Sequence, residues 1–267
     1  MRHHFKLLLA RILVPVMPSV YGLFHAIGSK ARRELTPIKQ AIIEQHGLTV
    51  LSGPFASTAY TPFAVDSSFI PRILGSYEAE LHCILERIIE TDYREIVNIG
   101  CGEGYYAIGL ALRLPGTRVY AFDTDRWARY LCRQMACING VNARVIVSGR
   151  CDIKRLRTLS LERALLICDC EGCELDLLRP DLVSSLRTCD LLVELHDFLN
   201  PKISRIILAR FSDTHDITLV NSTERDPADY PALKSFKSRE QHLALDEFRP
   251  GAMQWAFLTS RIAKSSA

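Results

Sequence analysis

Between Arg94 and Asp125 the chain reads REIVNIGCGEGYYAIGLALRLPGTRVYAFDTD, and this stretch constrains the fold more than any other. Ile96-Val97-Asn98-Ile99 is a short apolar run of the kind buried in parallel sheets. Three alternate glycines follow, Gly100, Gly102 and Gly104. A helical pattern runs from Tyr105 to Leu114 and is stopped by Pro115-Gly116. A second apolar strand, Val119 to Phe122, ends on Asp123. Glycines at such a turn let the backbone approach a ligand closely, and the following helix N-terminus offers free N–H groups. An acid about twenty residues further on is placed for a ribose diol. The plainer alternatives are a tight turn with no ligand, and a capping role for Asp123 ahead of the next helix.

The spacing of the glycines separates two ligand classes. A dinucleotide fingerprint wants G-x-G-x-x-G. Here the third glycine comes one residue early, and Tyr105 stands where that fingerprint has Gly. G-x-G-x-G after a strand, with an acid ending the next strand, resembles the S-adenosylmethionine (SAM) pocket of class I methyltransferases. That resemblance implies cofactor contacts from Asn98, Gly100, Cys101, Gly102, Gly104, Tyr105, Asp123 and Thr124. The resembled motif usually carries Asp or Glu where this chain has Asn98, which accepts a hydrogen bond without bringing a charge.

The rest of the chain fits a sheet built around this unit. Thr36-Pro37 reads as the cap and first residue of a helix reaching His46, and Gly47 as its stop. Residues 48 to 75 are rich in Gly, Pro, Ser and aromatics without periodicity, and a loop of that length is expected to cap the ligand site. Ser76 is expected to start a helix with Glu78 and Glu80 in its first turn and Leu81, Ile84, Leu85, Ile88 and Ile89 on one face. After Asp125 a helix runs to Asn139 and ends at Gly140. Further strands are expected at Ala143 to Val147, Ala164 to Cys168, Leu191 to Leu195, Ile217 to Val220 and Gln254 to Leu258. A helix from Asn200-Pro201 to about Phe211 and a short one near Glu240 to Phe248 complete the pattern. Alternation of this kind predicts an α/β fold, a Rossmann-like, doubly wound, mostly parallel seven-stranded sheet with an antiparallel C-terminal edge hairpin. It resembles the class I methyltransferase arrangement, which implies a ligand at the carboxyl ends of the strands. Residues 1–75 form an N-terminal helical arm and cap segment, and 76–267 the catalytic domain.

Composition narrows the function classes. The net charge of +3 over 267 residues, with acids and bases balanced, gives no argument for nucleic acid. Nine cysteines, several at strand ends, suit free thiols and a cytoplasmic location. Cys168-x-Cys170-x-x-Cys173 has no second pair or His cluster at zinc spacing. Phe5 to Ile27 is apolar but is interrupted by Arg11, Pro15, Pro18 and His25, so it is read neither as a signal peptide nor as a spanning helix. An arm packed on the domain or on a second copy in a homodimer is preferred to weak contact with a membrane surface.

Asp169-Cys170-Glu171-Gly172-Cys173-Glu174, directly after the fourth strand, is the second strong signal. With Val193-Glu194-Leu195-His196 and the glycine turn, D-x-E-G-x-E resembles the FkbM-type methyltransferases over roughly Ser76 to Leu199. That branch methylates hydroxyl oxygens in secondary metabolites and sugars, so the resemblance implies a small-molecule hydroxyl acceptor. Two strand ends would bring Asp169, Glu171, Glu194 and His196 to one rim. Methyl transfer to an alcohol needs in-line positioning and a base for the hydroxyl proton. His196, with a pKa near neutrality, is expected to be that base, Asp169 to orient it or the acceptor, and Glu194 to face away from His196. Glu174 is expected to be a first-turn acid of the following helix. A carboxylate and histidine cluster could instead hold Mg²⁺, with Asp169, Glu171 and His196 as ligands. The resemblance also assigns Asp152 to the adenine, and Tyr77 and Glu78 to a segment closing over SAM. The rival classes are a nucleotide-binding oxidoreductase and a non-catalytic SAM-binding protein of the same fold.

Overall fold

A computed structural model describes residues 33–65 and 68–264. The N-terminal arm expected over residues 1–30, with its membrane-surface or partner contacts, lies outside the described residues. Among the described residues no helix is long and apolar enough to cross a membrane.

Seven strands form one sheet. They are β1 (Glu95–Ile99), β2 (Arg118–Phe122), β3 (Val145–Ser148), β4 (Ala164–Cys168), β5 (Asp190–Leu195), β6 (His215–Asn221) and β7 (Gln254–Ser260). Their order is β3-β2-β1-β4-β5-β7-β6, parallel from β3 through β5, with β7 antiparallel to both β5 and β6. This is the mixed sheet with an edge hairpin that the alternation predicts. The chain runs outward from β1 through β2 to β3, then crosses back to β4 on the other side of β1, so the strand order reverses between β1 and β4, where such sheets bind ligands.

The register carries the site. Ile99 pairs with Phe122 on one side and Cys168 on the other, and Cys168 pairs with Val193. The strand ends are therefore level. Gly100, Asp123 and Asp169 each come one residue past a paired position, and Glu194, still paired with Trp255 of β7, lies level with them on one edge of the sheet.

Both sheet faces are buried, which is why β1 and β4 read as continuous apolar runs. On one face pack α1 (33–46), α2 (Phe69–Leu74), α3 (His82–Ile89), α4 (Tyr105–Arg113) and α5 (Arg126–Ile138). On the other lie α6 (Ile153–Leu156), α7 (Glu174–Leu177) and α8 (Ile203–Phe211). The last helices are α9 (Ser238–Leu245), in the excursion between β6 and β7, and α10 (Arg261–Lys264). α5 shows the logic. Asp125 caps its N-terminus by accepting from the Trp127 N–H, and Leu131, Cys132, Met135 and Ala136 form its buried stripe. Each large apolar side chain so buried contributes about 1.5–3 kcal/mol.

Three local expectations change. α1 is already helical at residue 33, so Thr36 lies inside it and does not cap it. The helix expected from Ser76 begins at His82, after a 3₁₀ turn at Ala79–Leu81, because Glu78 adopts a left-handed φ of 50°. The stretch 48–75 holds a helix, α2, in which every residue is buried. Ile38, Ile42, Val50, Phe55 and Tyr60 join the same core as the sheet.

Candidate active site

The glycine turn is shaped by two demands. At Gly100, φ is +80° and a Cβ would stand 1.6 Å from the Asp169 carbonyl oxygen, so the turn lies directly on the backbone leaving β4. At Gly102, φ is +55°, but nothing lies within 4 Å of a Cβ, so that side of the turn is open. Its N–H donates to Asp123 Oδ2 at 2.9 Å, and the Asp125 N–H donates to Oδ1 at 2.8 Å. Burial raises the Asp123 carboxyl, and these two backbone bonds oppose the rise.

Two clefts meet here. One, about 500 Å³ to its mouth, is lined by Ile99, Phe122, Thr124, Arg150, Cys151, Cys170 and others. The second, about 590 Å³, is lined by the turn from Gly100 to Glu103 and by Arg72, Tyr77, Tyr105, Asp169 and Glu171. Gly100 and Asp123 line both.

The remaining expected cofactor residues divide. Cys101, Tyr105 and Tyr77 line the second cleft, with the Tyr105 ring edge-on to Phe55 and Tyr77. Thr124 lines the first. Asn98 is buried on β1, and its Oδ1 has no hydrogen-bond partner among the described residues. Gly104 caps α4, where a Cβ would crowd Cys132. Asp152 is exposed and caps α6, accepting from the Arg155 N–H at 2.8 Å, while its neighbours Arg150 and Cys151 line the first cleft. Glu78 is buried and outside both linings, accepts from the Tyr106 hydroxyl, and lies 3.5 Å from Arg249. Burial is the main reason its carboxyl rises to about 7, with Arg249 opposing.

Two groups were missed by sequence reasoning. Glu103, inside the glycine turn, is buried and accepts from Tyr60 Oη at 2.6 Å, from Arg72 and from the Val65 N–H at 3.2 Å. It ties the cap segment to the turn. Arg249, from the β6–β7 excursion, pairs with Glu247 and Glu78 and reaches within 3.9 Å of Glu194, while Arg225 pairs with Glu80 and Glu247.

The rim at the ends of β4 and β5 is dense with acid. His196 Nδ1 lies 2.7 Å from Glu174 Oε1, and its Nε2 lies 3.5, 3.7 and 3.6 Å from carboxylate oxygens of Asp169, Glu171 and Glu194. Glu194 therefore faces His196 and not away from it. Residues two apart on a strand share a side, so the expected divergence does not occur. Glu174 is a first-turn acid of α7, as expected, and it is fully buried. The expected neutral pKa of His196 also fails. Burial alone would lower the imidazole, but hydrogen bonding to Asp169 and Glu174 and the charges of Glu194 and Asp169 outweigh it and raise it to about 12. Asp169 and Glu171 keep 29% and 14% of their side chains exposed, whereas His196 keeps 2%. Phe198, half-exposed, sets its ring edge against the imidazole.

Comparison with known proteins gives a partial picture. No family model matches the chain. Over 91 residues it is 36% identical to release factor glutamine methyltransferase of Chlorobaculum tepidum, which covers 32% of this chain and 30% of that protein. The match thus spans less than a third of the relative's length. Among solved structures, the O-methyltransferase TomG of Streptomyces achromogenes in complex with SAM is similar with a TM-score of 0.46 and 15% identity, over 85% of this chain and 89% of that one. A putative O-methyltransferase from Klebsiella pneumoniae is similar with a TM-score of 0.49 and 13% identity, over 85% and 98% of the two chains.

Proposed function

We propose that the chain is a SAM-dependent methyltransferase acting on a hydroxyl of a small molecule, such as a sugar or secondary metabolite. The observation that carries this reading is that one cleft is lined both by the glycine turn with Asp123 and by the part-buried acids Asp169 and Glu171. SAM, when bound, supplies a methyl group on a positively charged sulfur. The residues present suit it. Asp123 keeps lone pairs for a ribose diol beyond its two backbone bonds, Asn98 Oδ1 is a buried acceptor without a donor, and Gly102 leaves its surroundings open. The apolar walls of the first cleft suit a flat base, and the second cleft suits the amino acid portion.

Asp169 is the catalytic residue in this reading. It lines the cleft and is exposed enough to touch an acceptor, whereas His196 is buried and, among four acids, holds its proton too firmly to be a base. With SAM held by the glycine turn and Asp123, methyl transfer to the acceptor oxygen would release S-adenosylhomocysteine, and Asp169 would take the hydroxyl proton. Phe198 offers an apolar wall beside the rim.

The test uses the full chain, radiolabelled SAM and a panel of hydroxylated sugars and phenols, with calorimetry of SAM against NAD⁺. SAM binding and label transfer to oxygen are expected, and Asp169→Asn should keep SAM affinity while losing about 10²–10⁴-fold in turnover. NAD⁺ binding in place of SAM would replace the reading with an oxidoreductase. Undiminished turnover in Asp169→Asn would remove Asp169 from the chemistry.

A further inference from the structure

We infer that Asp169, Glu171, Glu194 and His196 form a binding site for one divalent cation of the Mn²⁺ or Mg²⁺ kind, with Glu174 as the group that orients the imidazole. The site itself stands on the cluster. Its role, holding the acceptor oxygen, rests on the methyl-transfer reading.

The donor set comes first. Asp169, Glu171 and His196 each offer one ligand atom, and these atoms all lie within 4.8 Å of one another. Carboxylate oxygens with one imidazole suit hard and borderline divalent ions, not the thiolate-loving ones. Ligands around such an ion at roughly 2.1–2.4 Å stand about 3–4.8 Å apart. Nε2 of His196 lies 3.5–3.7 Å from all three carboxylates, longer than most hydrogen bonds to a protonated imidazole. The acids ring the nitrogen at a cation's span.

The tautomer agrees. Glu174 Oε1 lies 2.7 Å from Nδ1 and is fully buried. A carboxylate there keeps the proton on Nδ1, so a cation held among the other three acids would take the place of the second proton at Nε2. This carboxylate–histidine pairing is the usual support of a metal-bound imidazole. Glu174 Oε1 also accepts the Gly172 N–H at 3.3 Å, which fixes the loop carrying Glu171.

A second observation points into the same space. Glu194 is 4% exposed, and its Oε2, on the side facing Nε2, has no hydrogen-bond partner among the described residues. Among the described residues the one guanidinium that pairs with Glu194, Arg249, approaches its other oxygen at 3.9 Å and is shared with Glu78 and Glu247. Buried carboxylates are ordinarily paired or bound to metal. Four acids around one imidazole leave a deficit of positive charge that a divalent ion fills.

Mn²⁺ titrated into the full chain without SAM is the direct probe, since the paramagnetic signal of free Mn²⁺ is lost on binding. One Mn²⁺ per chain at micromolar affinity is expected, displaced by Mg²⁺ and accompanied by a rise in Tm. Glu171→Gln, at the rim, should weaken binding at least tenfold. Glu174→Gln should weaken it 10–100-fold, the usual effect of losing such support. Asp181→Asn, at an exposed acid elsewhere, should bind as wild type. Glu194→Gln risks misfolding, so Glu171→Gln, checked by its melt, carries the decision. Mn²⁺ left free at millimolar protein, or equal binding in wild type and Glu171→Gln, would overturn the site. Because SAM is absent from this titration, its failure is distinct from failure of the methyl-transfer reading, which the calorimetry with SAM tests.

Discussion

Asp123 offers the sharpest test of the cofactor reading. Its carboxylate accepts the Gly102 N–H at 2.9 Å and the Asp125 N–H at 2.8 Å, one on each oxygen. An ionised carboxylate has about four acceptor sites, so each oxygen retains capacity for a ribose hydroxyl. A hydrogen bond to a charged group contributes about 1.5–3 kcal/mol. Two at the low end amount to about 3 kcal/mol, and at tenfold per 1.4 kcal/mol Asp123→Ala should weaken SAM binding by about 10²-fold. The same substitution removes two bonds that shape the turn, so a fall in Tm of a few degrees is also expected. Asp123→Asn separates the effects, because its amide oxygen can still receive the Gly102 N–H while the charge is gone. Calorimetry on the three proteins, each shown to melt cooperatively, is the assay. SAM affinity in Asp123→Ala equal to wild type would refute the assignment of this carboxylate to the ribose.

Other predictions use different handles. Gly100→Ala should fail to give soluble, cooperatively melting protein, since its Cβ would overlap the Asp169 carbonyl. Gly102→Ala should fold with a loss of about 1–2 kcal/mol from left-handed strain alone, and similar denaturation midpoints for the two would contradict the packing described. Glu78, raised to about 7 from the 4.5 of an exposed glutamate, holds its proton longer in the folded chain. Its stabilising contribution is therefore full below pH 4.5 and lost as pH rises through about 7. Tm of the wild type should fall across that window more steeply than that of Glu78→Gln, and coincident slopes would exclude Glu78 as the titrating group. Cys173 lines the first cleft, and a hydrogen bond from Cys170 lowers its thiol to about 7. Peptide mapping after brief iodoacetamide treatment near neutral pH should find Cys173 labelled ahead of the buried Cys101, with SAM slowing the reaction. Equal rates with and without SAM would place the cofactor elsewhere.

The strands were legible because a sheet buried on both faces writes itself as unbroken apolar runs; Ala164–Cys168 is the clearest case. The glycine turn was legible because its backbone geometry excludes other residues. What stayed hidden depends on partners distant in sequence. α2 has no polar face, since every residue is buried, so periodicity cannot mark it. Glu103 is an ordinary acid until Arg72 and Tyr60 arrive from the cap. One trace was present, because Gly109 interrupts a helix, and a Cβ there would stand 2.4 Å from the Phe55 ring. At the rim, the residues were legible but their states were not. The shift of His196 comes from Asp169, Glu174 and Glu194, gathered from two strand ends and a short helix, and no single segment displays them together.

The seating of Gly100 on the Asp169 carbonyl sets a gauge made of main chain alone. The Asp169 N–H donates to the Ile99 carbonyl at 3.0 Å, so the turn and the rim are stitched peptide to peptide with no side chain between them. Under the proposed reading, the stride from donor to acceptor is then indifferent to which residues furnish either bank. Acceptor loops can diversify without retuning the chemistry. Conversely, that stride cannot be lengthened by substitution, only by shifting the register of β1 against β4. Adaptation to larger or smaller acceptors is left to the ceiling, the cap over residues 48–75 and the excursion between β6 and β7, where the Arg225 and Arg249 ion pairs are the fasteners that would have to be rewritten.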